Sequence, residues 1–393
     1  MKRTLLYGGS FNPPHQGHVE AFAAARAFLQ PERCLIIPSR VPPHKALAAG
    51  SPTGGERLEL TRLAFAAFPE VEVSDMELLR EGVSYTALTL EELHRRHPDE
   101  SFFFLMGTDM FLTLESWYEY GKILSLCTPV VLTREEGEES AVCAQAERLC
   151  ERYGTEAMII PRAPLPMSST ELRLALAARA GRAKLPDSVY ERIIRCRFYG
   201  AKPELDWLRE RAFTFLKPKR VPHVQGCETM ARLLARRWEE DEDTAAEAAI
   251  LHDITKKLTA AEQLRLCAEY GIMTDDAERE NTELLHAKTG AAFARALFGV
   301  EEAVFQAIFW HTTGRAGMSR LEKIIYLADA IEPTRCYDGV EALRECALRD
   351  LDEAMIMSLE RTIAYVAQRG GTVHVQSHKA LHWFLKQKEE NKS

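Results

Sequence analysis

The sequence contains no pair of cysteines separated by two residues, although nine cysteines are scattered along its 393 residues. This spacing argues against a zinc ribbon, and the odd number argues against a disulfide framework. We therefore expect reduced cysteines and a cytoplasmic protein. No apolar run is long enough for a signal peptide or a membrane-spanning helix. There is also no internal repeat and no low-complexity tract.

The sequence also has no excess of positive charge, because its formal net charge is −8. Nonspecific binding to nucleic acids or membranes requires a basic surface, so we expect neither partner. This charge is compatible with a small anionic ligand held in a local pocket. The length exceeds what one hydrophobic core usually supports, which predicts two domains.

Short apolar runs alternate with amphipathic segments over the first half of the chain. This alternation predicts a Rossmann-like α/β domain with a doubly wound parallel sheet. In such a sheet the ligand lies beyond the carboxyl ends of the strands, where the strand order reverses. The predicted strands cover residues 4–7, 34–38, 71–76, 102–106, 129–133 and 157–160, and the predicted helices cover residues 19–29, 56–68, 85–96 and 141–152.

A glycine-rich turn follows the first predicted strand. Residues 8–18 are Gly-Gly-Ser-Phe-Asn-Pro-Pro-His-Gln-Gly-His. The paired glycines let the backbone approach a phosphate group, which a Cβ atom would obstruct. His15 and His18 lie three residues apart at a helix start, on one face and beside its free N–H groups. A loop with two surface histidines is the alternative, but the turn, the helix start and the spacing together favour a phosphate site.

A second helix start is predicted at residues 168–173, Ser-Ser-Thr-Glu-Leu-Arg. Ser168 and Glu171 have the spacing of a capping box. The remaining hydroxyl groups and Arg173 lie in the first turns of this helix, where they can bind phosphate oxygens. Taken alone, this segment is better explained by an ordinary capped helix with a surface arginine.

Together these two segments resemble the nucleotidyltransferase superfamily with the HxGH signature, and within it the bacterial nicotinate-nucleotide adenylyltransferases. Further support comes from Pro42-Pro43-His44-Lys45, Ser84-Tyr85-Thr86, Met106-Gly107-Thr108-Asp109 and Trp117-Tyr118. The resemblance covers about residues 1–200. It implies transfer of AMP from ATP to nicotinate mononucleotide in NAD biosynthesis, with Mg²⁺ bridging phosphate oxygens and deamido-NAD and pyrophosphate as products.

The same resemblance implies roles for individual residues. His15, His18 and Arg173 would be catalytic, the histidines at the ATP phosphates and the arginine at the departing pyrophosphate. The implied ATP site comprises Gly8, Gly9, Ser10, Phe11, His15, His18, Ser169, Thr170 and Arg173. The implied nicotinate mononucleotide site comprises Lys45, Tyr85, Thr86, Asp109, Trp117, Tyr118 and Arg134. A pantetheine-phosphate or cytidylyl transferase is the rival within the superfamily, and the Ser-Tyr-Thr and Trp-Tyr pieces argue against it.

Glycine and proline at residues 199–203 mark a domain junction, so the predicted domains are residues 1–200 and 203–390. Beyond the junction the periodicity is helical, which predicts an all-α domain. The predicted helices cover residues 206–215, 225–238, 244–254, 260–270, 282–297, 301–311, 321–331 and 350–368.

Histidines and aspartates occupy apolar surroundings in this second half. His223 is expected just before a helix, His252 and Asp253 end an alanine-rich one, and Asp329 interrupts an apolar run. Burying such groups is unfavourable unless they coordinate something, and ligands from several helices suit a divalent cation. A lone histidine would more often be an ordinary core residue, but this set of six favours a metal site: His223, His252, Asp253, His286, His311 and Asp329.

This pattern resembles the HD-domain metal-dependent phosphohydrolases. Residues 249–256 and 324–335 resemble the bacterial HD family that cleaves diadenosine tetraphosphate symmetrically into two ADP. The resemblance implies that a water molecule activated by the metal attacks phosphorus. The implied ligands for iron or another divalent transition metal are His223, His252, Asp253 and Asp329, with Asp253 catalytic. Lys256, His286, His311 and Arg335 would bind the phosphates or a second metal.

Thr312 departs from those HD variants that have two successive histidines, which puts a dinuclear site in doubt. Two alternatives therefore stay open for the second domain: hydrolysis of another nucleotide, and nucleotide sensing without turnover. The sequence also leaves a homo-oligomer open. Three further histidines lie outside the motifs and are expected at the surface: His374, His378 and His382.

Overall fold

The computed structural model describes residues 1–43, 46–133, 137–160 and 167–390. The predicted site residues Lys45 and Arg134 lie outside this range. The chain divides into two compact units, of which the first is Met1–Lys202 and the second begins at Pro203. Within the described residues, no helix combines the length and the apolar character needed to cross a membrane.

The first unit is built on a parallel sheet. Its strands in the described residues are β1 (Lys2–Gly9), β2 (Arg33–Pro38), β3 (Val71–Val73), β4 (Glu100–Gly107), β5 (Cys127–Leu132) and β6 (Met158–Ile160). The spatial order is β3-β2-β1-β4-β5-β6, and every pairing is parallel. Each strand predicted from an apolar run is therefore present. β4 and β5 are buried along almost their whole length, as parallel strands covered on both faces must be.

Helices connect these strands. They are α1 (Gln16–Leu29), α2 (Gly54–Ala64), α3 (Met76–Leu79), α4 (Thr86–Arg96), α5 (Thr108–Leu112), α6 (Tyr120–Leu126), α7 (Glu138–Tyr153), α8 (Ser169–Ala177) and α9 (Asp187–Cys196). The predicted helices are present with shifted ends, and Ser168 caps α8 by accepting from the Glu171 N–H. The short helices α3, α5 and α6 escape prediction, because fewer than two helical turns carry little periodicity.

The strand order reverses between β1 and β4. Leu6 pairs with Phe104 and Tyr7 with Leu105, so the two strands end side by side at the carboxyl edge of the sheet. Beneath this edge Leu6 and Phe104 belong to one buried apolar cluster that extends over the first unit. A packed cluster under the reversal point holds the two strand ends in place.

The second unit is helical throughout the described residues, as predicted. Its helices are α10 (Leu205–Phe213), α11 (Val221–Arg237), α12 (Glu242–Leu251), α13 (Ala260–Glu269), α14 (Asp276–Glu280), α15 (Leu285–Phe298), α16 (Glu302–Phe309), α17 (Arg320–Ile331), α18 (Val340–Arg349), α19 (Leu351–Gln368) and α20 (Val375–Glu390). Every predicted helix is present, but the position predicted for His223 is wrong. His223 lies inside the first turn of α11, because this helix begins four residues earlier than predicted.

Helix α12 is the central element of this unit. Every residue from Ala245 to Leu251 is buried, and α11, α15, α16 and α17 all pack against the helix. A helix that is buried on every face must lie inside its domain. His252 and Asp253, which follow directly after α12, are therefore placed in the interior of the unit rather than at its surface.

Candidate active sites

A cavity of about 750 Å³ lies at the carboxyl edge of the sheet, within the usual size range of ligand pockets. It is formed where β1 and β4 end and where α1, α4 and α8 begin. The predicted site residues that line it are Gly8, Gly9, Ser10, His15, His18, Thr86, Asp109, Trp117, Ser169 and Arg173. Residues from distant parts of the sequence therefore face one space, at the position that the reversal of strand order predicts.

Two predicted ATP-site residues contact this cavity only indirectly. The Phe11 side chain is 0% exposed, and its ring packs against Tyr7 and His18. The Thr170 hydroxyl accepts a hydrogen bond from Arg173 Nη2 over 3.1 Å. Phe11 and Thr170 thus orient a histidine and an arginine that line the cavity.

Two tyrosines predicted at the nicotinate end lie in a second space. The Tyr85 and Tyr118 rings stack with their centroids 4.4 Å apart and line a cavity of about 260 Å³. This smaller cavity also includes Thr86 and Trp117, which line the larger one as well. The tyrosine pair therefore backs the Trp117 side of the larger cavity.

The two histidines of the glycine-rich segment are held at the start of α1. His15 immediately precedes the helix, and its backbone N–H donates to His18 Nδ1 over 3.2 Å. A ring nitrogen that accepts carries no proton, so neutral His18 bears its proton on Nε2. The two imidazole centroids lie only 3.7 Å apart. In the neutral form of the second ring the Nε2 atom is thus an N–H donor, and His18 lines the cavity.

Arg57 is a functional candidate that sequence reasoning missed. It is 1% exposed, and it donates to the carbonyls of Ser10 over 2.8 Å and Arg40 over 3.3 Å. Burial lowers the pKa of Arg57, yet a guanidinium stays charged in proteins. No described carboxylate forms an ion pair with it, and its guanidinium contacts the glycine-rich segment through the Ser10 carbonyl. In the sequence, Arg57 could have been recognised as an arginine at a position on the buried face of α2.

Asn12 is a second residue that sequence reasoning missed. Its carbonyl accepts from Arg173 Nη1 over 2.7 Å, and its side-chain amide donates to Ser51 Oγ over 2.8 Å. The Asn12 Oδ1 atom accepts from the Tyr199 hydroxyl over 2.8 Å. These hydrogen bonds hold Arg173 of α8 against the glycine-rich segment, and no sequence motif predicts them.

Thr86, Asp109 and Trp117 line the same cavity. Thr86 is the first residue of α4, and a helix N-terminus carries a positive partial charge that favours a carboxylate. The half-buried Trp117 packs edge-on against Phe104 at 6.5 Å, which leaves its indole among the lining groups. Asp109 lies at the start of α5, directly beyond β4.

In the second unit, the predicted metal ligands come together from three helices. His223 is on α11, His252 and Asp253 follow α12, and Asp329 is on α17. The His223 Nε2 atom lies 3.1 Å from Asp329 Oδ1, and the His252 Nε2 atom lies 3.5 Å from Asp253 Oδ2. Imidazole nitrogens and carboxylate oxygens in one buried cluster form a donor set for a divalent transition metal.

Hydrogen bonds determine which ring nitrogen each histidine offers. His252 Nδ1–H donates to the Ala249 carbonyl and His311 Nδ1–H donates to the Ile308 carbonyl, both over 2.7 Å. A carbonyl can only accept, so in the neutral form of each ring the lone pair is on Nε2. The Nε2 atom of His252 is buried and has no hydrogen-bond partner among the described residues. Such an unsatisfied buried atom fits a bound cation.

A second group of donors overlaps the first. His286 Nδ1–H donates to the Glu283 carbonyl, which directs its Nε2 atom toward His311 Nε2, 3.1 Å away. The Asp253 Oδ1 atom lies 3.2 Å from His286 Nε2. Two lone pairs that face each other repel unless a positive charge lies between them. Asp253 thus directs one oxygen toward each group.

Positively charged side chains border this cluster. Lys256 Nζ lies 3.3 Å from His286 Nδ1, and Arg335 Nη2 donates to Asp329 Oδ1 over 2.7 Å. Arg220, which sequence reasoning missed, forms an ion pair with Asp253 Oδ2. Arginine and lysine at a metal cluster are suited to bind the phosphates of a substrate.

Burial and neighbouring charges control the protonation of the cluster. Burial alone would raise the pKa of Asp253, but His252 and His286 outweigh it and hold that pKa well below the ordinary value. Asp329 has a lowered pKa because the hydrogen bond with His223 and the charge of His252 likewise outweigh burial. Burial and the charges of His252 and His286 lower the pKa of His311 to about 3. Both aspartates are therefore ionised and His311 is neutral, the forms in which they bind metals.

Glu332 orients His223. Burial would raise the pKa of Glu332, but hydrogen bonds from Thr334 lower it, so this carboxylate is ionised and accepts from His223 Nδ1–H over 3.1 Å. A Cβ atom added at Gly226 would overlap the Glu332 Oε2 atom. This position of α11 therefore requires glycine, because a Cβ atom would displace Glu332, which orients the predicted metal ligand His223.

We expect Gly226→Ala to weaken metal binding about 10- to 100-fold, the range typical of losing an outer-shell partner. The added methyl group displaces Glu332, and His223 then loses its orientation. Competition with a chromophoric chelator measures the affinity. Gly290→Ala is the matched control, because its Cβ would meet its nearest atoms at an ordinary 3.4 Å. Wild-type affinity in the Gly226 variant would contradict this role.

The third cluster of possible ligands does not fit a metal. His374 Nδ1 accepts from the Gln376 backbone N–H, so the proton of the neutral ring is on Nε2, which lies 2.9 Å from Asp275 Oδ2. Lys288 already pairs with Glu278 in the same cluster. The surface position predicted for His374 is wrong, because this residue is buried by the ion pair.

Two family matches divide the chain in the same way. Residues 6–175 match the Cytidylyltransferase-like family, and residues 220–334 match the HD domain. A probable nicotinate-nucleotide adenylyltransferase from Geotalea daltonii is 36% identical over 212 residues, which cover 50% of this chain and 98% of the relative. This relative therefore corresponds to the first unit over nearly its whole length.

Two further proteins match the second unit. A probable nicotinate-nucleotide adenylyltransferase/Ap4A hydrolase from Mycoplasma pneumoniae is 26% identical over 364 residues, covering 91% of this chain and 98% of the relative. A crystal structure of a predicted HD superfamily hydrolase involved in NAD metabolism, from Clostridium acetobutylicum, is 37% identical and covers 46% of this chain and 97% of its own, with a TM-score of 0.45. Through its first half this chain belongs to the nicotinate-nucleotide adenylyltransferase family, and it carries an HD domain in its second half.

Proposed function

We propose that the chain is a bifunctional enzyme. The first unit transfers AMP from ATP to nicotinate mononucleotide, and Mg²⁺ enters with ATP as part of the substrate. The second unit hydrolyses diadenosine tetraphosphate to two ADP. The main support for the transferase is one cavity lined by residues at the starts of three helices, with His15 and His18 at α1, Ser169 and Arg173 at α8, and Thr86 at α4. The main support for the hydrolase is a buried cluster whose imidazole lone pairs face one another.

In the proposed transfer, a phosphate oxygen of nicotinate mononucleotide bonds to the α-phosphorus of ATP. The bond from this phosphorus to the bridging oxygen breaks at the same time, and pyrophosphate leaves. The His18 Nε2–H donor and the buried charge of Arg57 stabilise the negative charge on the transferring group. Arg173 binds the departing pyrophosphate. No covalent intermediate with the enzyme is needed, because both substrates are held in one cavity.

In the proposed acceptor site, the α4 N-terminus at Thr86 binds the nicotinate carboxylate and Trp117 lies against the pyridine ring. Nicotinamide mononucleotide carries a neutral amide there and gains less from the positive helix end. We therefore expect the catalytic efficiency with nicotinate mononucleotide to exceed that with nicotinamide mononucleotide by at least about 10²-fold. Chromatographic detection of dinucleotide products from each acceptor and ATP measures this ratio.

Phosphopantetheine belongs in the same experiment as a third acceptor, because it is the substrate of the rival transferase. Product from phosphopantetheine together with no product from nicotinate mononucleotide would overturn the proposed transferase. Thr86→Val is a useful companion variant, since it removes the hydroxyl group and keeps the side-chain shape. Its effect should be confined to the carboxylate-bearing acceptor.

In the proposed hydrolysis, water attacks one of the two central phosphorus atoms. The oxygen that bridges them leaves with the second ADP. The donors suit iron or another divalent transition metal, in each of the two overlapping groups, with Asp253 shared. A bound cation supplies positive charge that lowers the pKa of water and neutralises phosphate. Lys256 and Arg335 hold the tetraphosphate chain, and His252 and His311 offer fixed lone pairs.

Metal analysis and ADP release together test this second activity. We expect two equivalents of divalent metal per chain and ADP as the sole nucleotide product. Metal without ADP release would favour a nucleotide-binding module, and release of ADP from other nucleotides at higher rates would identify a different substrate. If the chain bound no metal and released no ADP, the proposal for the second unit would be overturned.

A further inference from the structure

A cysteine lies among the metal donors of the second unit. Cys227 follows His223 by one turn of α11, is 1% exposed, and places its Sγ atom 3.3 Å from His223 Nε2. The donor atoms of His223, Cys227, His252 and Asp329 all lie within 4.8 Å of one another. The sulfur is thus as close to the predicted ligands as they are to each other.

The spacing agrees with coordination of one ion. Zinc binds sulfur at about 2.3 Å and imidazole nitrogen at about 2.0–2.1 Å, so tetrahedral geometry places the two donors about 3.5 Å apart. The observed 3.3 Å between Cys227 Sγ and His223 Nε2 is close to that value. The His223 Nε2 to Asp329 Oδ1 distance of 3.1 Å is similarly short.

A second observation points to a ligand at this position. His252 Nε2 is buried and has no hydrogen-bond partner within the described chain, and its lone pair belongs to the same group as the sulfur. His252 itself is 1% exposed. An imidazole lone pair directed into a group with a thiol and a carboxylate is a binding site for a cation, because no donor in the group satisfies it.

The surroundings of Cys227 differ from those of an ordinary core cysteine. Its sulfur contacts an imidazole, whereas the buried Cys346 donates only to the Asp350 carbonyl at 3.8 Å. A core cysteine behaves as a small apolar side chain and is usually surrounded by apolar groups.

We propose that Cys227 is a sulfur ligand of the cation held by His223, His252 and Asp329. On binding, the S–H bond breaks, a metal–sulfur bond forms, and the proton is released to solvent. The site then selects a metal that accepts thiolate, such as zinc, iron or cobalt, over magnesium or manganese. This inference rests on the proposed metal centre and adds its chemical preference.

The test uses the full-length chain loaded with Co²⁺ or Zn²⁺. Cobalt bound to thiolate absorbs in the near ultraviolet, and X-ray absorption at the zinc edge detects sulfur at about 2.3 Å. We expect both signals in the wild-type chain and in Cys346→Val, and neither in Cys227→Val. The preference for Zn²⁺ over Mn²⁺, measured by competition, should fall about tenfold or more in Cys227→Val.

The outcomes separate this inference from the proposed function. Stoichiometric metal without a sulfur signal in the wild-type chain would overturn the role of Cys227 and leave the metal centre standing. A sulfur signal that persists in Cys227→Val would assign the ligand to another cysteine and also overturn it. If the chain bound no metal under any loading condition, both the role of Cys227 and the proposed metal centre would be overturned. Melting curves of the metal-free variants confirm that each chain is folded before loading.

Discussion

His18→Ala is expected to slow adenylyl transfer about 10²- to 10³-fold, the usual effect of removing one preorganised donor from a site of developing negative charge. The backbone N–H of His15 holds His18 Nδ1 as an acceptor, so the Nε2 atom of the neutral ring is an N–H donor in a side chain that lines the cavity. Alanine removes that donor and leaves the remainder of the cavity in place. Steady-state rates of both reactions on the whole chain measure the effect, and ADP release from diadenosine tetraphosphate should be unchanged.

His94→Ala is the matched control for this substitution. His94 lies on α4 in the same unit, packs against Phe102, and does not line the large cavity. We expect this variant to retain transfer activity within about twofold, because His94 is half-buried away from the residues that line the cavity. Near-wild-type transfer by the His18 variant would remove the histidine from the proposed mechanism. Loss of both reactions would show that the two activities are not independent.

Asp253→Asn is expected to abolish hydrolysis, with a loss of at least about 10³-fold, and to strip metal from the second unit. Its two carboxylate oxygens face different donor groups, Oδ1 toward His286 and Oδ2 toward His252. Asparagine preserves the shape but removes the negative charge that balances a cation on both sides. Elemental analysis of the purified variant and ADP release are the measurements, and adenylyl transfer serves as the internal check on folding.

Asp243→Asn is the control for the loss of one carboxylate from the same unit. Asp243 pairs with Arg232 at the surface of the helical unit and lies outside the cluster. Its replacement should leave metal content and ADP release at the wild-type level, since exposed ion pairs contribute little to stability. If Asp253→Asn retained metal and turned over at the normal rate, the shared-carboxylate arrangement would be wrong.

Local patterns in the sequence were sufficient to predict most of the secondary structure. Strands β2, β4 and β5 are apolar runs because a parallel sheet buries them on both faces, and that burial leaves a continuous signal. Helix α20 gives little signal, since its buried side chains are only Ser377, Ala380 and Phe384. Helix α18 was not predicted, although its buried residues Val340, Leu343, Cys346 and Ala347 have helical spacing.

The candidate site residues likewise divide into those that a local sequence pattern could predict and those that only the fold brings together. His15 with His18, and His252 with Asp253, could be predicted because each pair is contiguous or nearly so and its spacing carries the chemistry. Arg57 and Glu332 could not be predicted, because their roles arise from contacts with Ser10 and His223 in distant segments. Cys227 is an intermediate case. Its spacing of four residues from His223 places both on one helix face, but only the fold shows that this face meets the other donors.

The hydrogen bonds that orient the histidines of the second unit determine which neighbouring residues can be substituted without loss of that orientation. The partners of His252, His311 and His286 are the carbonyls of residues three positions earlier: Ala249, Ile308 and Glu283. A bond that closes so short a loop restricts few conformations, and a backbone carbonyl is present whatever the side chain. Substitution of those three partner residues should therefore leave the orientation of each imidazole ring unchanged. His223 alone depends on a remote side chain, Glu332, so the chain has least freedom to vary where α11 meets the end of α17.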